Sequence, residues 1–338
     1  MRMLLVAPKS EFTFGIQRAL QKREIEVVYL NERLNYLVPG FLRENEFLWK
    51  MMIRHSDSLK LKNKAKFNKV ILELCAKEKF DSIVTTKGTT MSADTLGQLR
   101  TTGTRSVNWW IENMYHRLYA PWVKKHFVNF DYFLAFDSAG VQELQQLPHT
   151  NRVDFLPLAI EPELYSVEIE NQNDKKKYEC DVCFAGARYP EREDLLTAVA
   201  QLGVRLKIFG WPQWKESPLA KYYGGPLTMR EMAKAYHYAK ISLNCNLWPA
   251  KGSVNLKTFE IPASGGFELC DYQPDLRRLF KVDKEIVSYS TKEEMITKVS
   301  YYVDHVSERI AIAKAGYDRV LRDHTLDRRV EQILKIIA

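Results

Sequence analysis

The 338-residue sequence lacks the short motifs by which the commonest nucleotide-dependent enzymes are identified. Neither G-x-G-x-x-G nor G-x-x-x-x-G-K-[ST] occurs, which argues against dinucleotide-dependent dehydrogenases and P-loop nucleotide hydrolases. Asp-x-Asp, the spacing with which a metal-dependent sugar-nucleotide transferase holds a cation against a diphosphate, is also absent. A bound diphosphate would therefore have to be stabilised without a metal, by a helix dipole and by basic side chains.

The sequence contains few cysteines, and their number is odd. The five cysteines are widely spread, which does not fit a secreted disulfide framework, and we expect reduced thiols. Cys180 and Cys183 form a single C-x-x-C in an apolar stretch, with no second pair to complete a zinc site, so we interpret them as buried strand residues. The N-terminal apolar run is too short for a signal peptide or a spanning helix and predicts a first strand in a cytoplasmic protein.

The overall composition is that of a folded protein with a basic surface. Apolar residues make up 46% of the chain, which excludes a disordered protein, and its length favours two domains. The net charge of +8 fits nucleic acid, an anionic membrane or a phosphorylated ligand. No zinc-finger, RRM or KH pattern is present, so we expect no nucleic-acid partner. Peripheral membrane contact stays open, and core or subunit packing would equally explain the apolar side chains that favour it: Trp49, Met51, Met52 and Ile53.

Short apolar runs alternate with amphipathic stretches along the chain, which predicts a doubly wound, mostly parallel α/β sheet in each half. The predicted strands cover 3–7, 26–30, 82–86, 106–110, 132–136 and 153–156 in the first half, and 181–185, 205–209, 240–243, 267–270 and 285–289 in the second. The predicted helices of the second half cover 191–202, 229–239, 292–305, 308–322 and 326–337. Polar residues without a sustained period, 161–178, predict a linker between the two domains.

The segment 239–271 carries more functional signal than the rest of the chain. Its sequence, AKISLNCNLWPAKGSVNLKTFEIPASGGFELCD, predicts a buried strand, a polar loop, the start of an amphipathic helix and another strand. Backbone N–H groups left unpaired at such a helix start favour a phosphate or diphosphate. The candidate nucleotide-binding residues of this loop and helix start are Asn244, Lys251, Gly252, Ser253, Val254, Asn255 and Lys257.

Glu260 lies one to two turns into that helix, within the pattern Glu-x-x-Ala-x-Gly that precedes the next strand. A carboxylate there is placed to accept hydrogen bonds from ribose hydroxyls. The segment therefore predicts a nucleotide-sugar site, although Lys257 could equally extend its apolar stem along the helix.

Other residues of the second half suit the same ligand. Two arginines that follow a strand end, Arg188 and Arg192, are candidate phosphate ligands, although Arg192 could equally be a surface residue of a helix. A later loop contains backbone groups and aromatic side chains that could hold a nucleobase. These aromatic side chains could equally pack within the protein. These residues are Gly186, Arg188, Arg192, Gly210, Trp211 and Trp214.

Acid or base chemistry is expected in the first half. Glu11 follows the first strand, and Glu112, Asn113 and His116 follow the strand VNWWI. A carboxylate or histidine at such a strand end could take the proton from an attacking hydroxyl group. The candidate catalytic residues are therefore Glu112, ahead of the others, His116 and Glu11.

Several stretches of the second half resemble the C-terminal domain of CgeB-like glycosyltransferases, the spore-maturation-protein group with a GT-B fold. The similar text, in the same order, is CDVCFAGARYPERE, LTMREMAKAYHYAKISLN, FEIPASGGFELCD, LFKVDKEIVSYSTKEEM and ERIAIAKAGYDRVLRDHT. In the first half, TTKGTTMSADTLGQLRTTGTRSVNWWIEN is similar to the family segment that ends in an acidic residue, here Glu112.

The resemblance implies two Rossmann-like domains facing each other across a cleft. The acceptor would bind mainly to the domain at 1–160 and the nucleotide-sugar donor mainly to the domain at 179–323, while the helix at 324–338 returns to the first domain. Retaining members of the wider group use two glutamates eight positions apart; Glu260 matches the second, but the first position holds Gly252. Inversion and retention therefore both stay open.

We thus predict a metal-independent glycosyltransferase of the hexosyltransferase type with no cofactor. Its donor would be a UDP-, dTDP- or GDP-linked sugar, and its acceptor a hydroxyl group of a glycan, a protein or another molecule. A non-catalytic module that binds sugar nucleotides or glycans on the same scaffold is the alternative.

Overall fold

The computed structural model describes residues 1–43, 56–117, 119–167, 171–246 and 252–338. The chain divides into two compact units, the first formed by Met1–Pro157 with Arg329–Ala338 and the second by Leu158–Arg328. Some residues named above lie outside the described residues, namely Trp49, Met51, Met52, Ile53 and Lys251.

The first unit contains a six-stranded sheet in which all neighbouring strands are parallel, in the order β2-β1-β3-β4-β5-β6. Its four central strands are almost fully buried, as expected for a parallel sheet, whereas the edge strands β2 and β6 are more exposed. The strands are β1 Arg2–Ala7, β2 Glu26–Asn31, β3 Ser82–Thr86, β4 Arg105–Trp110, β5 Tyr132–Ala135 and β6 Arg152–Phe155. The helices are α1 Glu11–Gln21, α2 Asp57–Lys77, α3 Ala93–Thr101, α4 Ala120–His126 and α5 Ser138–Gln145.

The second unit repeats this architecture with five parallel strands in the order β11-β10-β9-β7-β8. The strands are β7 Cys180–Ala185, β8 Leu206–Phe209, β9 Ala239–Asn244, β10 Glu268–Asp271 and β11 Val287–Tyr289. The helices are α6 Gln172–Tyr178, α7 Pro190–Gln201, α8 Met229–Tyr238, α9 Lys257–Ala263, α10 Leu276–Leu279, α11 Lys292–Asp304 and α12 Val306–Asp323. The last helix, α13 Leu326–Ile337, begins in the second unit and ends in the first.

All eleven predicted strands and the five predicted helices of the second half are confirmed, with ends that differ by at most two residues. Cys180 and Cys183 are confirmed as buried, unpaired strand residues. No helix among the described residues is long and apolar enough to cross a bilayer.

The segment at 161–178 is more ordered than the absence of a period suggests. It contains a short 3-10 turn, Pro162–Leu164, and the helix α6. Two of its tyrosines, Tyr165 and Tyr178, are 3% and 1% exposed, and both belong to the second unit. Single aromatic anchors in a polar stretch carry no periodic signal, so the pattern of the sequence does not show them.

Candidate functional site

The strand order of each sheet reverses at one point, between β1 and β3 in the first unit and between β7 and β9 in the second. At such a point the connections leave the two strands toward opposite faces, and a crevice opens at the carboxyl ends of the strands. Ligands of open α/β sheets bind at this crevice. The loops that follow these four strands are therefore where a site is expected within each unit.

Arg192 joins the two loops at the crevice of the second sheet. It lies in the first turn of α7 and is only 5% exposed. Its Nη1 donates to the carbonyl oxygen of Ala187 (3.1 Å) and its Nη2 to that of Cys245 (2.9 Å), while Nε has no hydrogen-bond partner among the described residues. Its guanidinium also lies 5.4 Å from the ring centroids of Phe184 and Tyr189. Arg192 is therefore a buried cation of the crevice and not a surface helix residue.

The main chain approaches itself closely where β7 and β8 end. The N–H of Gly186 donates to the carbonyl oxygen of Phe209 (2.9 Å). Gly210 has φ +131°, and a Cβ atom at this position would lie 2.4 Å from the carbonyl oxygen of Gly186. Only glycine fits at position 210 because any side chain would collide with main chain, which cannot rotate away.

The other predicted residues of this edge differ in their surroundings. Nε and Nη2 of Arg188 both donate to one carboxylate oxygen of Glu193 (3.1 and 2.9 Å), which occupies much of its hydrogen-bonding capacity. Trp214 is fully buried and is a core residue. Trp211 is 62% exposed, so it is the tryptophan of this loop that is free to contact a ligand.

Amide side chains connect the loop before α9 to two strands. Nδ2 of Asn244 lies 3.1 Å from Oδ1 of Asn255 and donates to Oε1 of Glu268 (2.8 Å), and Asn255 Nδ2 donates back to Asn244 Oδ1 (2.9 Å). The N–H of Asn255 donates to Oδ1 of Asn246 (2.8 Å), whose own N–H donates to Oδ1 of Asp271 (2.6 Å). The loop is thereby attached to both β9 and β10.

Three predicted residues, Gly252, Ser253 and Val254, are buried within this loop. Ser253 and Val254 are each 3% exposed, and the carbonyl oxygen of Gly252 accepts the N–H of Asp275 (3.0 Å). These residues therefore contribute to a site through the position of the loop that they hold in place.

The helix α9 differs from the prediction in two respects. It has seven residues, and positions 258–263 are all buried, so the expected amphipathic pattern is wrong. Two of the N–H groups that were expected to be unpaired at the helix start have a partner in Asn255: its Oδ1 accepts the N–H of Lys257 (2.9 Å), and its carbonyl oxygen accepts that of Thr258 (3.2 Å). An anion bound at this place would consequently be stabilised more by cationic side chains than by the backbone N–H groups of the helix start.

Glu260 is the buried carboxyl group of the site and is 6% exposed. Its Oε1 accepts a hydrogen bond from the hydroxyl of Tyr165 (2.7 Å), a residue that sequence reasoning assigned to the linker. Burial raises the pKa of Glu260, opposed by the Lys257 ammonium and the Tyr165 hydroxyl. Loss of water lowers the pKa of Lys257, which Glu260 opposes and the positive charge of Arg192 reinforces. Lys257, which is half-buried, thus interacts electrostatically with the buried Glu260 and Arg192, and the three residues form one charge cluster.

In the first unit, β3 is followed by two consecutive residues with positive φ, Lys87 at +72° and Gly88 at +63°. A Cβ atom on Gly88 would lie 2.7 Å from both Asn108 Nδ2 and Thr85 Oγ1. For a lysine this backbone conformation costs about 1–2 kcal/mol, and such strain is concentrated at functional sites. The turn directs the Lys87 side chain, 11% exposed, onto the carboxylate of Glu112. Sequence reasoning did not single out Lys87, although the Lys-Gly pair at a strand end is a signal for such a turn.

Glu112 and His116 lie in one loop that follows β4. The Glu112 side chain is 37% exposed and forms an ion pair with Lys87. The N–H of His116 donates to the carbonyl oxygen of Asn113 (3.3 Å), and its ring centroid lies 5.4 Å from that of Tyr119. The Lys87 ammonium lies 5.6 Å from the same Tyr119 ring. The structure therefore places Lys87 and His116 near the ring of one tyrosine, and Lys87 in turn pairs with Glu112.

Two further carboxyl groups of this unit have different surroundings. Glu11 is the first residue of α1, and its side chain is 52% exposed, 3.6 Å from Arg18. Glu32, which was not predicted, is 4% exposed and accepts a hydrogen bond from the Thr90 hydroxyl (2.6 Å). Burial raises the pKa of Glu32 from its usual 4.5 to about 7, against the opposing effects of Thr90 and nearby cations.

Sequence comparison finds a family model and a curated relative that are similar to parts of the chain. Residues 188–335 match the model of a glycosyl transferase-like family. The spore protein CgeB of Bacillus subtilis is 23% identical over 218 residues, a match that covers 58% of this chain and 65% of the length of that relative.

Structural comparison relates the whole chain to solved proteins at low sequence identity. Sucrose-phosphate synthase from Thermosynechococcus elongatus superposes with a TM-score of 0.72 at 12% identity, covering 99% of this chain and 98% of that one. HepE from Anabaena, solved in complex with UDP-glucose, gives 0.68 at 10% identity over 100% and 99% of the two chains. An α,α-trehalose 6-phosphate synthase from Burkholderia multivorans gives 0.64 at 12% identity over 99% and 96%. Residues 188–335 therefore match a glycosyl transferase-like family, and the whole chain has the GT-B fold with two Rossmann-like domains.

Proposed function

We propose that this protein is a CgeB-like, metal-independent glycosyltransferase that moves a sugar from a nucleotide-diphosphate sugar to a hydroxyl group of a glycan, a protein or another acceptor. The observation that carries the proposal is the charge cluster at the crevice of the second sheet, in which the half-buried Lys257 interacts with the buried Glu260 and Arg192. The family match of residues 188–335 and the likeness to CgeB support it.

Each member of the cluster has a distinct role toward the donor. Glu260, oriented by Tyr165, accepts hydrogen bonds from the ribose hydroxyls. Lys257 and Arg192 face the diphosphate, whose negative charge grows as the bond to the sugar breaks; fixed cations in a buried site stabilise that charge strongly. An anion beside Lys257 would also offset its lost hydration. These two cations, together with the absence of Asp-x-Asp, support a donor site that requires no metal.

The edge formed by β7 and β8 suits the nucleobase. Trp211 offers an exposed aromatic face, and the close approach of the main chain at Gly186 and Gly210 fixes the strand end from which its loop leaves. The complex of the structurally similar HepE with UDP-glucose favours a UDP-linked donor over dTDP- or GDP-linked ones.

In the first unit, Glu112 is the proposed base for the acceptor hydroxyl. It follows β4 at the carboxyl edge of the sheet and is partly exposed, and Lys87 fixes its orientation. His116, in the same loop, is the second candidate, and Glu11 the third.

Thermal unfolding with UDP, dTDP and GDP in the presence of EDTA tests the donor site. We expect UDP to raise the melting temperature, because a ligand that binds only the folded state stabilises it. Glu260→Ala should lose most of this increase. Glu293→Ala, which removes an exposed carboxylate of α11 in the same unit, is the matched control and should keep it.

Hydrolysis of UDP-glucose and transfer to an acceptor panel then test catalysis. Turnover that Glu112→Gln abolishes supports the enzyme. UDP binding without any turnover would support the non-catalytic binding module, and the absence of a thermal shift with every nucleotide would refute both.

A further inference from the structure

Glu268 is a buried carboxyl group that the proposed donor chemistry does not use. It begins β10, pairs in register with Ser242 of β9 and is 2% exposed. Its Oε1 accepts one hydrogen bond, from Nδ2 of Asn244 (2.8 Å), and its Oε2 is buried without a hydrogen-bond partner among the described residues. Burying a carboxyl oxygen without a hydrogen-bond partner costs free energy, so a structural or functional role is expected for Glu268.

A continuous series of hydrogen bonds leads from Glu268 to the proposed phosphate site. Asn244 receives its orientation from Glu268 and exchanges two amide hydrogen bonds with Asn255 (3.1 and 2.9 Å). Oδ1 of Asn255 in turn accepts the N–H of Lys257, the first residue of α9 (2.9 Å). Three side-chain contacts thus connect a strand carboxyl group to the backbone that carries the Lys257 ammonium.

We infer that Glu268 is a positioning residue of the donor site, which acts through Asn244 and Asn255 to hold Lys257 where it meets the diphosphate. The inference rests on the proposed function, since the diphosphate belongs to the proposed donor. Glu268 itself does not touch the ligand.

The surroundings of Glu268 indicate that it performs this role as a neutral carboxylic acid. An ionised carboxylate in a buried site is poorly stabilised when one of its oxygens, here Oε2, has no hydrogen-bond partner among the described residues. Burial accordingly raises the pKa of Glu268 from its usual 4.5 to about 8, opposed by hydrogen bonds from Asn244 and Thr258. The titratable groups that face it are Asp271 and Cys270 on β10, Lys257 on α9 and Tyr236 on α8.

The affinity of the protein for UDP between pH 6.5 and 9.5 tests the inference, measured calorimetrically in EDTA. Above about pH 8 the Glu268 proton is lost, and the ionised group requires solvent or a rearranged loop. The wild-type affinity should therefore fall by up to about tenfold per pH unit above that value. Glu268→Gln keeps the shape and the neutral state, so it should match the wild type at pH 7 and stay higher above pH 8.

Burial lowers the pKa of Lys257, so loss of its charge would also weaken UDP binding at high pH. This loss occurs in the wild type and in Glu268→Gln alike, so the difference between their two profiles reports on Glu268. Glu293→Gln, the exposed control, should follow the wild type. UDP binding with coincident profiles for wild type and Glu268→Gln would overturn the inference alone. No UDP binding by any of these proteins would overturn the proposed function and, with it, the inference.

Hydrogen exchange tests the connection between Glu268 and the backbone of Lys257 in the absence of a nucleotide. Glu268→Leu keeps a buried side chain of similar size but removes the acceptor for Asn244. We expect faster exchange of backbone amides at 252–257 than in the wild type, while amides of β9 stay protected, which also shows that the variant is folded. Unchanged exchange at 252–257 in a folded Glu268→Leu protein would overturn the inference.

Discussion

The carboxyl edges of the two sheets hold charge in different ways. At the second sheet, Arg192 and Glu260 are 5% and 6% exposed, and their hydrogen-bond partners are carbonyl groups and a tyrosine. At the first sheet, Lys87 and Glu112 pair with each other, and the Glu112 side chain is 37% exposed. Buried charges fixed by the main chain suit a ligand that must be held in one place. A partly exposed carboxylate, oriented from a strained turn, suits a proton transfer to or from a substrate.

We expect the largest loss of stability when a buried charge at the carboxyl edge of the second sheet is removed, and a much smaller loss when a partly exposed charge at the same edge is removed. Arg192→Leu leaves the carbonyl groups of Ala187 and Cys245 unpaired and should destabilise the second unit by about 3–4 kcal/mol, with complete loss of the UDP-induced shift. Arg188→Leu removes a partly exposed pair with Glu193 and should cost about 1 kcal/mol or less. Urea unfolding measured for both variants checks the contrast, which equal destabilisation would contradict.

A pH experiment compares the buried carboxyl groups of the two units. The pKa of Glu32 is about 7 in the folded protein against its usual 4.5, so its stability contribution is fully retained below about pH 4.5 and declines as the pH rises to about 7. The decline amounts to about 3 kcal/mol. Glu32→Gln removes the titrating group, so the stability of the variant relative to wild type should rise between about pH 4.5 and about pH 7.

Hydrogen exchange of amides in the two units, followed from pH 4.5 to 8 with correction for the intrinsic rates, checks this prediction. The relative gain of Glu32→Gln should be confined to the first unit, and that of Glu268→Gln to the second, where it should continue to about pH 8. A relative stability of Glu32→Gln that does not change with pH would contradict the raised pKa.

One glycine in each unit, Gly88 and Gly210, has no room for a side chain, so the effect of an added Cβ atom can be compared between the two units. Gly88→Ala and Gly210→Ala each add a Cβ atom to a position with positive φ and a contact below 3 Å. Gly103→Ala and Gly203→Ala share the positive φ but meet no atom within 4 Å. We expect a cost of about 1 kcal/mol for each control and about 2 kcal/mol more for each crowded site.

The functional consequences of the crowded variants should also differ. Gly210→Ala should weaken UDP binding, whereas Gly88→Ala should leave it unchanged and slow hydrolysis of UDP-glucose, because Gly88 adjoins Lys87 and not the donor residues. Weaker UDP binding in Gly88→Ala would contradict this assignment of roles to the two edges.

The smallest effect concerns Lys87 alone. Lys87→Met removes the ammonium that orients Glu112 and should slow UDP-glucose hydrolysis by about tenfold without changing the affinity for UDP. Lys66→Met, which removes an exposed cation of α2 in the same unit, is the control and should keep the wild-type rate. Steady-state kinetics of the two variants checks the prediction; equal rates would remove Lys87 from the proposed chemistry.

The sequence predicted the strands well because each lies within a short apolar run, and it placed Glu260 and Arg192 at strand or helix positions that the structure retains. It was wrong about α9, since a helix whose residues 258–263 are all buried has no polar face, and since the Asn255 side chain accepts the first N–H of the helix, a contact that periodicity does not show. It missed Tyr165, which contacts Glu260 across 95 positions of the chain. It also missed the strained turn at Lys87.

The two parallel sheets were determined by the sequence itself, because alternation of buried strands with helices is a local pattern that survives in almost any packing arrangement. Which charges are buried, which are paired and which carboxyl groups keep a proton was decided only by the tertiary structure. Arg192 meets the carbonyl oxygen of Cys245, and Asn244 meets Glu268, across 53 and 24 positions. The protonation state and orientation of a side chain depend on the water and partners that remain around it, and distant parts of the chain supply these only on folding.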